Sequence, residues 1–188
     1  APYYISMSSV EEQKRLNSIN YILASARAID AMGGDRIVVH TGSCGKISRE
    51  HALELAMDTM KKAVNALDSE GLSNIRICPE TMGKINQLGT LDEVIELCKM
   101  SPRLIPAVDF GHLNCREQGS SFPDVDSYRR VFDKIAAAKG DEVAKNLHCH
   151  FSRIEYTEKG EKRHLTFEDE TFGPDHRPLL RAIKDLGI

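Results

Sequence analysis

Leu-Ile-Pro-Ala-Val-Asp-Phe-Gly-His, residues 104–112, is the stretch that decides the fold of this chain. An apolar run of strand length ends in an acid, a glycine and an imidazole, which places Asp109 and His112 just past the carboxyl end of a strand. Three other apolar runs end in the same way, in His40, in Glu80, and in His148, Cys149 and His150. The repetition predicts a series of strands that each deliver a polar side chain to one edge of a sheet.

Segments with helical spacing of apolar residues separate these strands. The predicted strands cover residues 3–7, 37–40, 75–80, 104–112 and 145–151. The predicted helices follow capping residues at Ser8 or Ser9, at Ser48 and at Thr90, and two more cover residues 125–138 and 178–186. Residues 158–170 are polar and are predicted to be an excursion outside the core. Strands that alternate with helices predict right-handed βαβ units and a parallel sheet.

Two α/β folds place their sites at the carboxyl ends of parallel strands, the open doubly wound sheet and the (β/α)8 TIM barrel. The chain has no Gly-x-Gly-x-x-Gly or Walker-type loop, and ligand-type residues follow strand after strand, which favours the barrel. The five predicted strands cannot close a barrel, and a full barrel usually needs about 250 residues where this chain has 188. We therefore predict one domain over residues 1–188, an incomplete TIM barrel that lacks the first strands and the last strand.

Composition excludes several classes of protein. The formal net charge of −3 gives no support for a broadly basic nucleic-acid surface, although bound metal would add positive charge that the count omits. No apolar run approaches the roughly 20 residues of a membrane helix, and no signal-peptide pattern opens the chain. The five cysteines are odd in number and form no C-x-x-C pair, which favours reduced thiols. A cytoplasmic protein with no membrane association and no implied protein partner is the expectation.

The polar residues at the strand ends have a chemistry in common. A lone histidine there is more often a satisfied polar residue than a ligand, but several acids and imidazoles predicted to share one sheet edge indicate a metal site. Carboxylate and imidazole sets without thiolate suit Zn²⁺, Mn²⁺ or Fe²⁺ in a catalytic site with open positions. His148 and His150 alternate with Cys149, so they share one strand face, and we expect one of them to reach the metal.

Five short motifs occur in a specific order along nearly the whole chain. They are Ala-Pro-Tyr-Tyr-Ile-Ser, Val-Val-His-Thr-Gly-Ser, Pro-Glu-Thr-Met-Gly-Lys, Val-Asp-Phe-Gly-His and Leu-His-Cys-His-Phe-Ser. In this order and spacing they resemble the endonuclease IV family of apurinic/apyrimidinic endonucleases, within the wider group of xylose-isomerase-like barrels. The resemblance implies a zinc-dependent deoxyribonuclease of base-excision repair. Such an enzyme hydrolyses the phosphodiester 5′ to an abasic site in double-stranded DNA.

The resemblance also implies roles for individual residues, with two or three Zn²⁺ ions, or Mn²⁺ or Fe²⁺ in their place. Glu80 matches a carboxylate that bridges the first and second ions, and it is the predicted catalytic residue. The residues that match metal ligands are His40, Glu80, Asp109, His112, His148 and His164. Tyr3 matches a residue that enters the DNA near the lesion. Arg153 is predicted to contact DNA phosphates.

The chain departs from the family pattern at the third metal position. Lys162 stands two residues before His164, where the family has an aspartate ligand, and an ammonium has no lone pair for a cation. The adjacent Glu161 would substitute only if the segment shifts its register by one residue. The family's first histidine ligand would stand immediately before Ala1, and its last glutamate ligand beyond Ile188.

Three hypotheses follow. The first is the metal-dependent nuclease acting on abasic DNA, which the tyrosine pair at residues 3–4 and the histidines of the third site favour. The second is a sugar isomerase or epimerase of the same barrel type, which needs only one metal ion. The third is a non-catalytic protein that keeps the fold and binds metal. Lys162 favours the second and third hypotheses, and the nuclease is the preferred one.

Overall fold

The computed structural model describes residues 1–2 and 4–188, and its elements alternate as the sequence predicts. In chain order they are α1 (Glu12–Ala31), β1 (Arg36–His40), α2 (Arg49–Ser69), β2 (Arg76–Glu80), α3 (Leu91–Lys99), β3 (Ala107–Asp109), α4 (Phe110–Arg116), α5 (Val125–Lys139), α6 (Asp141–Lys145), β4 (His148–His150), β5 (Arg153–Thr157), β6 (Gly160–Leu165) and α7 (His176–Asp185). None of the helices in these ranges combines the length and the apolar character needed to cross a bilayer.

Strands β1, β2, β3 and β4 form a parallel sheet in that order, and β5 and β6 form a separate antiparallel hairpin. The register of the sheet sets His40 beside Glu80, and it sets Asp109 beside His150. The carboxyl ends of all four strands therefore meet at one edge. This arrangement confirms the predicted α/β architecture with a parallel sheet.

The two faces of the sheet bury different residues. Residues such as Ile37 on β1 and Ile77 on β2 face the cluster formed with α1, α2 and α3. Val38, Cys78 and Ala107 belong to a smaller cluster on the opposite face. Because side chains alternate along a strand, the ligand-type residues two positions later lie on this second face, away from the large helical core.

Two of the three predicted caps are confirmed, but the cap at Ser8 or Ser9 is wrong, because α1 begins after Glu11, which makes no side-chain capping hydrogen bond. The Ser48 side chain accepts a hydrogen bond from the backbone N–H of His51 at 3.2 Å and starts α2. Thr90 and Glu93 form a capping box at the start of α3, in which each side chain accepts from the other residue's backbone N–H. These local signals fix the strand–helix boundaries that position the polar edge of the sheet.

The predicted first strand, residues 3–7, is wrong for the residues that the structure describes, and Tyr3 lies outside them. Residues 4–7 contain turns and no strand. The backbone N–H of Ser6 donates to Ser18 Oγ on α1 at 2.9 Å. This N–H is therefore satisfied by a helix side chain and not by a neighbouring strand. Ile5 and Met7 nevertheless join the helical core, which explains why the apolar alternation resembled a strand.

Two further boundaries differ from the prediction. The strand of residues 104–112 ends at Asp109, because that carboxylate caps α4 by accepting from the backbone N–H of His112 at 2.9 Å. The strand predicted over residues 145–151 is shorter, since Lys145 ends α6 and β4 covers only His148–His150. Both corrections leave the ligand-type residues at the same sheet edge.

The polar segment of residues 158–170 lies outside the hydrophobic core, as predicted, but it contains a strand that the sequence did not predict. Residues 160–165 form β6, which pairs with β5 in an antiparallel hairpin. The hairpin lies against α4 and against the loop that follows β2. This polar hairpin lies outside the core and forms one wall of the site.

Candidate metal centre

A cavity of about 300 Å³ opens at the carboxyl edge of the sheet. The last residues of β1, β2, β3 and β4 are two histidines and two acids, His40, Glu80, Asp109 and His150, and all four line this cavity. The remaining lining residues are Met82, Gln87, His112, Glu161 and His164. The structure thus brings together the strand-end side chains that the sequence predicts to meet.

Glu80 lies at the centre of the first group of ligand-type atoms. Its carboxylate is buried, with Oε1 2.6 Å from His150 Nδ1 and Oε2 3.5 Å from His40 Nε2. Ligand atoms of Glu80, Asp109 and His150 lie within 4.8 Å of one another. Imidazoles from the two outer strands of the sheet therefore approach the two oxygens of one carboxylate.

The ionisation states suit a cation. Burial acts to raise the pKa of Glu80, but the hydrogen bond from His150 and the charges of the nearby imidazoles lower it overall. The bond to Glu80 raises the pKa of His150 against the effect of burial. Burial lowers the pKa of His40 despite the nearby Glu80 charge. An ionised carboxylate beside a neutral imidazole is a donor set for a divalent ion.

His148 and His150 occupy different levels of the edge. His150 pairs in register with Asp109 and touches Glu80, whereas His148 pairs with Ala107, one level deeper. His148 Nε2 lies 3.0 Å from His150 Nε2, and its side chain is not among those that line the cavity. The role of His148 as a metal ligand stays a prediction, and His150 enters the site as the histidine that shares a face with it.

The second group of ligand-type atoms begins at His112, in the first turn of α4. Its Nδ1 lies 2.8 Å from the Thr81 carbonyl oxygen, which can only accept, so Nδ1 carries the proton in the neutral ring. The lone pair is then on Nε2, which is buried and has no hydrogen-bond partner in the described residues. A histidine held by a carbonyl on one nitrogen and open on the other has the geometry of a metal ligand.

His164 completes this group from β6. Its Nδ1 lies 2.7 Å from Ser152 Oγ, and its ring meets the His112 ring edge-on with 5.2 Å between the centroids. Ligand atoms of Asp109, His112 and His164 lie within 4.8 Å of one another. Asp109 therefore belongs to both groups, and it stands between the sheet edge and the hairpin.

Glu161 is a site residue that was absent from the predicted ligands. Its oxygens lie 3.5 Å from His112 Nε2 and 3.6 Å from His164 Nε2, and its side chain is only 16% exposed. Residues 161 and 164 have opposite parity, so a regular strand would place them on opposite faces. The only sequence signal for Glu161 as a site residue is its position next to Lys162. This signal can be interpreted only once the register of the hairpin shows which face Glu161 occupies.

Arg153, one of the two predicted DNA contacts, does not line the cavity. Arg153 is half-buried at the start of β5, where a guanidinium nitrogen donates to the Phe172 carbonyl oxygen at 3.0 Å. Tyr3 lies outside the described residues. Both roles stay predictions.

The donors present fit a divalent metal ion. They are carboxylate oxygens and imidazole nitrogens, the ligands of catalytic Zn²⁺, Mn²⁺ and Fe²⁺ sites. Cys115 lies nearby, but burial raises the pKa of its thiol to about 12, and its Sγ donates to the carbonyl oxygen of Gly83. The buried Nε2 of His112 is the atom that a bound cation would satisfy.

The chain is similar to several known proteins. A family model described as xylose isomerase-like TIM barrel matches residues 1–188. An uncharacterized protein of Methanocaldococcus jannaschii, MJ0133, is 34% identical over 185 residues, which are 98% of this chain and 66% of that protein. A probable endonuclease 4 of Mycoplasma pneumoniae is 27% identical over 188 residues, covering 97% of this chain and 61% of that protein.

A solved structure shares the fold as well. The crystal structure of a D-tagatose 3-epimerase-like protein superimposes with a TM-score of 0.69 over 100% of this chain and 65% of the other, at 19% identity. An identity this low shows the fold alone. The chain spans less than two thirds of the length of each of these proteins. The TIM-barrel fold and the resemblance found in the sequence motifs are thereby confirmed.

Proposed function

We propose, for a chain that belongs to the xylose isomerase-like TIM-barrel family, a metal-dependent hydrolysis of DNA phosphodiester bonds 5′ to abasic sites. One observation carries the proposal. Two groups of ligand-type side chains share Asp109, one with Glu80 and His150 and the other with His112 and His164. Neighbouring ions that share a carboxylate are typical of phosphoryl-transfer sites, where both the attacking and the leaving oxygen need stabilisation. The relatives named probable endonuclease 4 agree with this chemistry.

The residues divide the work of the site. When bound, two or three divalent ions (Zn²⁺, or Mn²⁺ or Fe²⁺) activate water and neutralise charge on the phosphoryl oxygens. Glu80 holds its position because His150 and His40 approach its two oxygens. Asp109 is held in place because its carboxylate accepts a hydrogen bond from the backbone N–H of His112 at 2.9 Å. Carboxylates held in this way would fix where the ions bind, and so where the phosphodiester and the attacking water would stand.

A second recess beside the site suits a nucleic-acid backbone. It has a volume of about 750 Å³ and shares Glu161 with the metal cavity. Four cationic side chains line it, Arg49, Lys84, Lys159 and Lys162, against two acidic ones, Glu158 and Glu161. Arg49 and Lys162 are paired with Glu93 and Glu155, whereas Lys84 and Lys159 form no ion pair within the described residues. These two lysines are therefore the side chains that we propose to contact phosphates. Damaged double-stranded DNA is the partner that we propose.

A sugar isomerase or epimerase is the second candidate. The group of Glu80, Asp109 and His150 is sufficient for a single ion, and His164 is half exposed. One ion that polarises neighbouring oxygens of a sugar would need nothing from the hairpin. The fold is shared with an epimerase-like protein, which agrees with this candidate without favouring it.

The test uses the full-length protein and a duplex oligonucleotide that carries one tetrahydrofuran abasic analogue. We expect incision on the 5′ side of the analogue, a 3′-hydroxyl product and more than one equivalent of Zn²⁺ or Mn²⁺ per chain. An undamaged duplex of the same sequence is the control. Absence of incision at saturating zinc and at saturating manganese would refute the nuclease. One ion per chain with ketose–aldose interconversion would establish the second candidate instead.

A further inference from the structure

We propose that Glu161 is a metal ligand, which joins His112 and His164 around an ion next to the one held by Glu80 and His150. The inference rests on the metal centre of the proposed function and is independent of the substrate. It assigns the carboxylate of the hairpin site to the residue before Lys162. Lys162 itself stands where the endonuclease IV pattern has an acid.

The first argument is the chemistry of the facing atoms. In the neutral His112 ring Nε2 bears the lone pair, because Nδ1–H donates a hydrogen bond to the Thr81 carbonyl oxygen. This lone pair and a Glu161 oxygen face each other at 3.5 Å, and Nε2 has no hydrogen-bond partner in the described residues. A lone pair and a carboxylate oxygen in a buried position repel each other unless a proton or a metal ion lies between them. A metal ion removes that repulsion and satisfies the orphaned nitrogen.

The second argument is the register of the hairpin. Glu155 pairs with Arg163 and Tyr156 with Glu161, so Lys162 is the extra residue of a β-bulge. The bulge cancels the alternation, and Glu161 and His164 come to lie against each other at 3.6 Å. A bulge next to a functional site commonly redirects a side chain in this way.

The third argument is the removal of the two cations of β6 from the site. Lys162 Nζ lies 2.5 Å from one oxygen of Glu155, and Arg163 Nε lies 2.6 Å from the other. Glu155 thus pairs with both positive side chains, and neither of them lines the metal cavity. The residue that looked unfavourable for a metal ion is turned away, while its acidic neighbour is turned inward.

The fourth argument is the fixed position of the hairpin. The backbone N–H of Glu161 donates to the Gly83 carbonyl oxygen at 3.1 Å, and that of Ile85 donates to Lys159 at 3.1 Å. A Cβ atom added to Gly83 would stand 2.7 Å from Glu161 Cβ and 2.8 Å from His112 Cδ2. The loop after β2 therefore needs a glycine there, because Glu161 and His112 converge on it.

The experiment measures zinc binding to the full-length protein by isothermal titration calorimetry and by metal analysis after dialysis. The variant Glu161→Gln keeps the shape of the side chain and removes its charge. We expect it to lose one equivalent of zinc, or to bind that ion at least about 100-fold more weakly, the upper end of what loss of a supporting group alone produces. Glu158→Gln, at the tip of the same hairpin, is the matched control and retains the wild-type stoichiometry.

Two results would overturn the proposal. The first is wild-type zinc stoichiometry and affinity in folded Glu161→Gln, with folding verified by circular dichroism. The second is a single zinc equivalent in the unmodified protein. If Glu161→Gln does not fold, Co²⁺ absorption spectra of Glu161→Asp replace it, and an unchanged spectrum counts against the ligand role. If Glu161→Gln loses one zinc equivalent but the unmodified protein does not incise the abasic duplex, only the nuclease function is refuted. The ligand role of Glu161 then stands.

Discussion

The two halves of the candidate metal centre are built in different ways. At the sheet edge, His40, Glu80, Asp109 and His150 are each the last residue of a parallel strand, so the pairing of the strands brings them together. On the other side, His112 comes from the first turn of a helix, and His164 and Glu161 from an antiparallel hairpin. The first half depends on a whole sheet. The second half depends on the β-bulge at Lys162 and on the close approach of Gly160 in the hairpin to Gly83 in the loop after β2. Single substitutions can therefore separate the second half from the sheet edge.

The largest expected effect comes from the sheet edge. Glu80→Gln removes the charge that His150 and His40 approach, and we expect at least a roughly 10²–10³-fold loss of incision rate, the magnitude for one electrostatic group at a reacting centre. Zinc at the sheet edge should be lost as well. Rates and zinc content are compared with Glu54→Gln, an exposed acid on α2. Activity retained in Glu80→Gln would show that the site is misplaced.

A smaller and more selective effect comes from the hairpin. Gly160 has a φ of +86°, and a Cβ there would stand 2.2 Å from the Gly83 carbonyl oxygen. Gly160→Ala should therefore lift the hairpin, so that its ion is lost while the ion at the sheet edge remains. Zinc stoichiometry and hydrogen exchange of residues 153–165 measure the effect.

The matched control for this variant is Gly33→Ala, in the turn after α1. Gly33 has a similar φ of +77°, and a Cβ there would meet nothing within 4 Å. Both variants carry the cost of a left-handed alanine, about 1–2 kcal/mol, so the difference between them isolates the contact with Gly83. Equal zinc stoichiometry and equal exchange in the two variants would contradict the dependence of the second half on this contact.

The smallest effect concerns the framework behind the sheet edge. Glu93 is buried and accepts from Arg49 at 2.7 Å and from the backbone N–H of Gly89 at 2.8 Å. Burial acts to raise the pKa of Glu93, but these bonds lower it overall from 4.5. A depressed carboxyl pKa stabilises the fold above the unfolded value, and the contribution is lost as pH falls through the folded value.

Glu93→Gln should accordingly reduce the free energy of unfolding at pH 7 by about 2 kcal/mol. The difference from wild type should shrink as the pH falls below 4.5, while zinc stoichiometry at pH 7 stays the same. Urea unfolding of both proteins across this range measures it. A difference that does not depend on pH would show that the Glu93 charge contributes nothing.

The sequence contained most of the first half and little of the second. Apolar runs that end in Glu80 and Asp109 are local patterns that the sequence shows directly. Because the strands are parallel, their last residues lie at the same edge of the sheet. The choice between His148 and His150 depends on the register between β3 and β4, which no local pattern records. The sequence offers Glu161 only as a conditional substitute for Lys162, because a bulge is a property of two strands together and β6 is too polar to show an apolar period.

The bulge also bears on how such a site changes in evolution. An extra residue in β6 is absorbed at Lys162 without displacing His164 from its partners. An insertion or deletion of one residue can therefore transfer the acidic ligand to the neighbouring position in the chain while the same point in space stays occupied. Alignments that compare ligands column by column would record a lost ligand here. Homologues with a displaced acid in this hairpin are better compared by the faces of the paired strands.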